Sequence, residues 1–216
     1  MIILFGSHKG GVGKTTTLVN MAVMLMRRKL KVSIIKADKN DELSEWYGRR
    51  KEAGLPVMPL IEAFGNITKE VKRIANISDV VLIESAGHDS AEFRSGLAVA
   101  DVLITLIRPS SQLEIDTLPK LTTVVRKAQQ IENPSLRPYV LLTRCKSSPT
   151  NLDATTLANA LKSDPDWLQP LSQRITQLDV FENAVNEGKG VHEVKKASSL
   201  SKAKAQLELV AAELGL

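Results

Sequence analysis

Apolar residues fall into short unbroken runs, separated by stretches where they recur every three to four positions. Residues 1–5 form the first run, and a run of that length with no polar break predicts a buried strand. Similar runs predict strands over 31–37, 79–84, 101–107, 137–143 and 168–175, with a short one over 57–61. Between them the apolar spacing turns helical. Leu18, Val19, Ala22, Val23, Leu25 and Met26 predict a helix over 15–28. Further helices are predicted over 41–53, 66–75, 91–99, 113–131, 151–161 and 178–186. A closing helix over 201–214 carries the stripe Leu200, Ala203, Leu207, Val210 and Leu214. Strands alternating with helices predict an α/β fold: an open, mainly parallel twisted sheet with helices on both faces. The whole of 1–216 is expected to form one domain.

Candidate chemistry gathers where the first strand meets the first helix. Gly10, Gly11 and Gly13 permit a tight turn with backbone N–H groups facing inward, and Lys14, Thr15 and Thr16 open the helix. A strand, a glycine loop, a Lys-Thr pair and a helix N-terminus together make a phosphate cradle. Lys14 suits terminal phosphates and the Thr15 hydroxyl suits Mg²⁺. The strict form of this loop has Gly at position 8, where this chain has His8. A dinucleotide fingerprint starting at Gly11 fails because it needs Gly where Thr16 stands.

Two strand ends should face that cradle, because ligands of open parallel sheets bind at the carboxyl ends of strands. One ends at Asp38, which reads either as a site carboxylate or as the cap of the helix that follows. The other ends at Glu84, an acid closing an apolar strand, the arrangement that holds a water on Mg²⁺.

The run Lys9-Gly10-Gly11-Val12-Gly13-Lys14-Thr15-Thr16 resembles the deviant Walker A box of the ParA/MinD ATPases, and the likeness extends over nearly the whole chain. It is most similar to small plasmid-partition members. The resemblance implies ATP and Mg²⁺ as ligands, with residues 9–16 forming the nucleotide loop. Lys9 would reach across an ATP-bound homodimer to the partner's phosphates. Asp38 would place the attacking water and belong to the metal shell with Thr15 and Glu84, and Gly87 would lie near the γ-phosphate. Relatives usually read Asp-x-Asp-Pro-Gln where this chain has Lys36-Ala37-Asp38-Lys39-Asn40, and that departure bears on hydrolysis rate. After the strand over 137–143, Arg144 would stack on the base or remain a solvated arginine. A centromere-binding or other cargo adaptor and non-specific DNA are the implied partners, which places the protein in the cytoplasm on the nucleoid. Carboxysomes and conjugation complexes are alternative cargoes, and a poorly hydrolysing ATP-gated binding module is the remaining alternative.

Composition narrows this only slightly. The chain has 216 residues, 43% apolar and 25% charged, which excludes disorder. A net charge of +5 leans towards an anionic partner. Lys195, Lys196, Lys202 and Lys204 are candidate DNA contacts, with Arg27-Arg28 and Arg126-Lys127 as alternatives. Glu208 and Glu213 on the closing helix argue against a membrane anchor. Cys145 is the only cysteine, in keeping with a reducing compartment, and no His-based nucleophile motif surrounds it. Met1 leads straight into the first strand, so no signal peptide is expected.

Overall fold

The computed structural model describes residues 1–7, 10–86, 90–148 and 150–216. Among these, seven strands form one sheet: β1 (Ile2–Gly6), β2 (Val32–Ala37), β3 (Leu60–Glu62), β4 (Val80–Ser85), β5 (Val102–Ile107), β6 (Arg137–Cys145) and β7 (Gln169–Thr176). The order is β3-β2-β4-β1-β5-β6-β7, and every pairing is parallel. The helices are α1 (Lys14–Arg27), α2 (Glu42–Glu52), α3 (Thr68–Ala75), α4 (Ala91–Leu97), α5 (Gln112–Ile115), α6 (Leu118–Ile131), α7 (Asp153–Lys162), α8 (Asp179–Asn186) and α9 (Leu200–Leu214). A single 3₁₀ turn spans Val191–Glu193.

The alternation of strand side chains explains the two layers. Ile3, Phe5, Ile34 and Leu82 point to one face and pack under α1, α2, α8 and α9. Leu4, Ile35, Val81 and Ile83 point to the other, under α3, α4, α6 and α7. Because both faces are covered, the central strands read as continuous apolar runs. Helix α1 lies between the sheet and other segments, so residues Thr17 to Leu25 are all buried, Asn20 among them. Asn20 is satisfied there: its Nδ2 donates to Thr16 O and its Oδ1 accepts from Val191 N.

Several elements depart from the sequence pattern. The helix expected over 113–131 is split into α5 and α6. Pro119 sits in the first turn of α6, where its missing N–H costs nothing. The strand expected over 57–61 lies at Leu60–Glu62, pairing with β2 at the sheet edge. Strand β6 runs two residues further than expected, to Cys145, and β7 one residue further, to Thr176.

This topology places the site. The chain crosses β1 on its way from β4 to β5, so the crevice beyond the carboxyl ends of β1, β2 and β4 is a topological switch point. Parallel register sets Glu84 beside Phe5 on one side and Lys36 on the other.

Candidate functional site

Gly11 and Gly13 have φ values of 79° and 87°, which L side chains rarely adopt. Gly13 flanks α1 and supplies no side-chain cap, so the first-turn N–H groups face the groove rather than a capping oxygen. The loop is pinned from behind by the Thr143 hydroxyl, which donates to Val12 O at 2.8 Å. The groove above it measures about 490 Å³.

Lys14 and Thr15, at the head of α1, meet the strand ends. Lys14 Nζ donates to Asp38 Oδ2 and to Ser85 O, both at 2.6 Å, and lies 4.0 Å from Glu84 Oε1. The Thr15 hydroxyl donates to Glu84 Oε1 at 2.5 Å. Asn40 N donates to Asp38 Oδ1 at 3.1 Å. The residue that flanks α2 is Asp41, three positions beyond Asp38, and the Asp38 carboxylate is spent on Lys14 and Asn40.

The two buried carboxyls are driven in opposite directions. Burial pushes Asp38 up, but the hydrogen bond and charge of Lys14, the Asn40 N–H and the Lys36 charge outweigh it, and Asp38 titrates below the usual range. Burial dominates at Glu84 and raises it. The Lys14 charge and Thr15 hydroxyl offset this only in part, and the Asp38 and Glu42 charges add to the rise.

Sequence reasoning passed over Glu42 and Glu182, and read Lys36 only as a departure from the acidic motif. Glu42, in the first turn of α2, brings Oε2 to 3.1 Å from Thr15 Oγ1. Its signal was only an acid four residues beyond Asp38 on a polar helix. Lys36 is 4% exposed, with Nζ 3.1 Å from Glu62 Oε1 and 3.8 Å from Asp41 Oδ1. Glu182 of α8 accepts from Arg144 Nη2 at 2.9 Å. Arg144 has φ 49° and borders both the groove and an adjoining apolar slot walled by Val12, Ile175 and Phe181. Lys9 and Gly87 lie outside the described residues.

The donors around Thr15 are all oxygens, with one ammonium beside them, a set suited to phosphate with a hard divalent cation. Among the described residues no three His, Cys, Asp or Glu close on a common point.

A family model described as the CobQ/CobB/MinD/ParA nucleotide binding domain matches residues 3–191. The chain belongs to this family. The family match spans β1 to the 3₁₀ turn and includes Lys14, Thr15, Asp38 and Glu84. A relative in Gloeobacter kilaueensis, the maintenance of carboxysome distribution protein A, is 33% identical over 110 residues. That stretch is 51% of this chain and 50% of the relative, so the likeness takes in half of the relative's length. Among solved structures, apo McdA of Cyanothece superposes with a TM-score of 0.79 at 18% identity, covering 99% of both chains. A putative plasmid partition protein of Borrelia burgdorferi bound to AMPPNP gives 0.69 at 17% identity, covering 98% of both. At such identities these likenesses carry the fold, a seven-stranded parallel sheet of the ParA/MinD type.

The candidate DNA contacts lie between the 3₁₀ turn and α9 and in the first turns of α9. Lys195, Lys196 and Lys202 are exposed, whereas Lys204 is half-buried and donates to Val194 O at 3.3 Å. Arg28 pairs with Glu208. Arg126, one of the alternative candidates, donates to the carbonyls of Pro165, Asp166 and Trp167. No helix among the described residues is long and apolar enough to cross a membrane. Burial pushes the Cys145 thiol up to about 11, which makes it a poor nucleophile.

Proposed function

We propose that this protein is an ATPase that switches between nucleotide states to bind DNA without sequence preference and to move a plasmid. The observation that carries this reading is the meeting of Lys14, Thr15, Asp38 and Glu84 at the head of α1. The glycine loop and the α1 N-terminus would take the β- and γ-phosphates of ATP. Lys14 would exchange its contacts with Asp38 and Ser85 O for phosphate oxygens. Thr15, with Glu84 behind it, would hold Mg²⁺, which neutralises charge developing on the phosphate oxygens when bound. Asp38, kept ionised, is the group to accept a hydrogen bond from the attacking water and orient it. Arg144, at the border of the apolar slot, is the residue to cover the base.

The rest of the cycle follows from the family. Lys9 from each subunit would neutralise phosphates in the other, making the ATP form a homodimer. Two copies of the exposed Lys195, Lys196 and Lys202, with Lys204 beside them, would double the phosphate contacts along one duplex. DNA affinity then rises steeply because each neutralised phosphate releases counterions. A centromere-binding adaptor would stimulate hydrolysis and release the dimer from the nucleoid.

The test is an anisotropy titration of unrelated duplexes with ATP, ADP and no nucleotide, run beside phosphate release with and without DNA. Tight binding in ATP alone, falling with salt, is expected. Equal binding in all three states overturns the switch, and no phosphate release under any condition leaves an ATP-gated binding module. The stretch shared with the carboxysome distribution protein supports a second reading, the same cycle with a different cargo. The adaptor that accelerates phosphate release decides between them.

A further inference from the structure

Thr15 has one hydroxyl hydrogen and two carboxylates beside it. Glu84 Oε1 at 2.5 Å takes that hydrogen, the shorter and better buried of the two contacts. Glu42 Oε2 still approaches the same oxygen to 3.1 Å. A cation seated beside these oxygens would turn the repulsion between the two carboxylates into attraction. The Lys14 ammonium does not serve, since it points to Asp38 and Ser85 O. Nor is Glu42 there by a loose side chain on a loose helix. Leu43 and Trp46, both fully buried, anchor α2 to the core, and Lys36 ties Asp41 at the helix start to Glu62 of β3. The first turn of α2 is therefore fixed over the head of α1, and its exposed acid borders the groove.

We infer that Glu42 is a positioning residue for the divalent cation, a further carboxylate that α2 presents beside Thr15 and Glu84 and that sets how readily the site takes Mg²⁺. The inference rests on the nucleotide reading above. It carries a sign that no scaffold role shares. With Mg²⁺ present, the Glu42 charge favours the cation and so the Mg²⁺–nucleotide complex. With Mg²⁺ removed, the same charge only repels the phosphates.

The experiment titrates a fluorescent ATP analogue into wild type, Glu42→Gln and Glu42→Asp, across a Mg²⁺ series and in EDTA. Glu42→Gln should need about three- to tenfold more Mg²⁺ for half-maximal binding, and in EDTA should bind the analogue as tightly as wild type or tighter. Glu42→Asp, which keeps the charge, should fall between. An unchanged Mg²⁺ midpoint in Glu42→Gln overturns the inference while leaving the nucleotide site standing, as does weaker binding in EDTA. Should wild type itself bind the analogue without regard to Mg²⁺, the nucleotide reading fails and this inference with it. Thermal melts of the three proteins identify a variant that merely weakens α2, which lowers Tm without moving the Mg²⁺ midpoint.

Discussion

Glu84→Gln should stabilise the folded protein while weakening its hold on Mg²⁺–nucleotide. Glu84 is 3% exposed, and taking a carboxylate that far from water costs several kcal/mol. Lys14 Nζ at 4.0 Å returns about 4 kcal/mol at an effective dielectric near 20, and the Thr15 hydrogen bond adds to that. The Asp38 and Glu42 charges work against it, and the balance leaves the carboxyl above its ordinary 4.5. A raised carboxyl binds its proton more tightly in the folded chain than in the unfolded one. At neutral pH the ionised group therefore lowers stability, and the penalty disappears only below the unfolded value. Glutamine mimics the protonated acid and still accepts from Thr15. The expected gain is about 1–2 kcal/mol, or roughly 2–8 °C in Tm for a chain of this size.

The assay is a set of thermal melts in EDTA from about pH 4.5 to 8, with Mg²⁺-dependent analogue binding alongside. The Tm difference should be largest at pH 8 and shrink as the pH falls towards about 4.5. Analogue affinity in Mg²⁺ should drop by about tenfold or more, because one site carboxylate is lost. A Glu84→Gln protein that melts at or below wild type at pH 8, or a difference that ignores pH, refutes the reasoning.

Glu193→Gln should cost about 3–5 kcal/mol, because Arg50 is fully buried and both its terminal nitrogens donate to the Glu193 carboxylate; adding Arg50→Met should recover much of that in urea unfolding. Gly188→Ala should lower Tm by pushing on the backbone of the same arginine, since a Cβ there would stand 2.4 Å from Arg50 N at a φ of +69°. Lys195→Glu with Lys196→Glu should remove ATP-dependent duplex binding and leave the dimer, read by anisotropy and light scattering; unchanged DNA affinity moves the surface elsewhere. Cys145 should resist iodoacetamide at pH 8 in the folded protein and react at once in urea, because its thiol sits near 11 and is 4% exposed.

Much of the fold was legible because burial on both faces makes β1, β2, β4 and β5 mostly apolar runs. Strand order was not, since a strand's own residues do not say which neighbour it will pair with; β1 beside both β4 and β5 emerges only from the tertiary packing. The edge strand β3 was misplaced for a related reason: three residues with one exposed acid carry little pattern. Arg126 and Arg50 show the limit for charges. Arg126 stood among the alternative DNA contacts and Arg50 within a polar helix, yet one is spent on three loop carbonyls and the other is sealed under Trp46 with Glu193.

The strand end 36–42 shows why a site can be legible in its loop and illegible in its surroundings. Residues 10–16 act through backbone geometry and a helix terminus, properties that adjacent residues specify among themselves. The acids around Thr15 come from β4 and from the turn between β2 and α2, so their roles depend on register. Lys36 stands beside Glu84 in the sheet, but its ammonium reaches outward to Glu62 and Asp41. A lysine that reads as a break in an acidic motif thereby becomes the tie that fixes α2, and α2 brings a carboxylate of its own to within 3.1 Å of Thr15 Oγ1. Among the described residues, Asp38, Glu42 and Glu84 bring three carboxylates to the head of α1, against the ammoniums of Lys14 and, acting on Asp38, Lys36. That excess disfavours a bare nucleotide and favours one that arrives with a divalent ion.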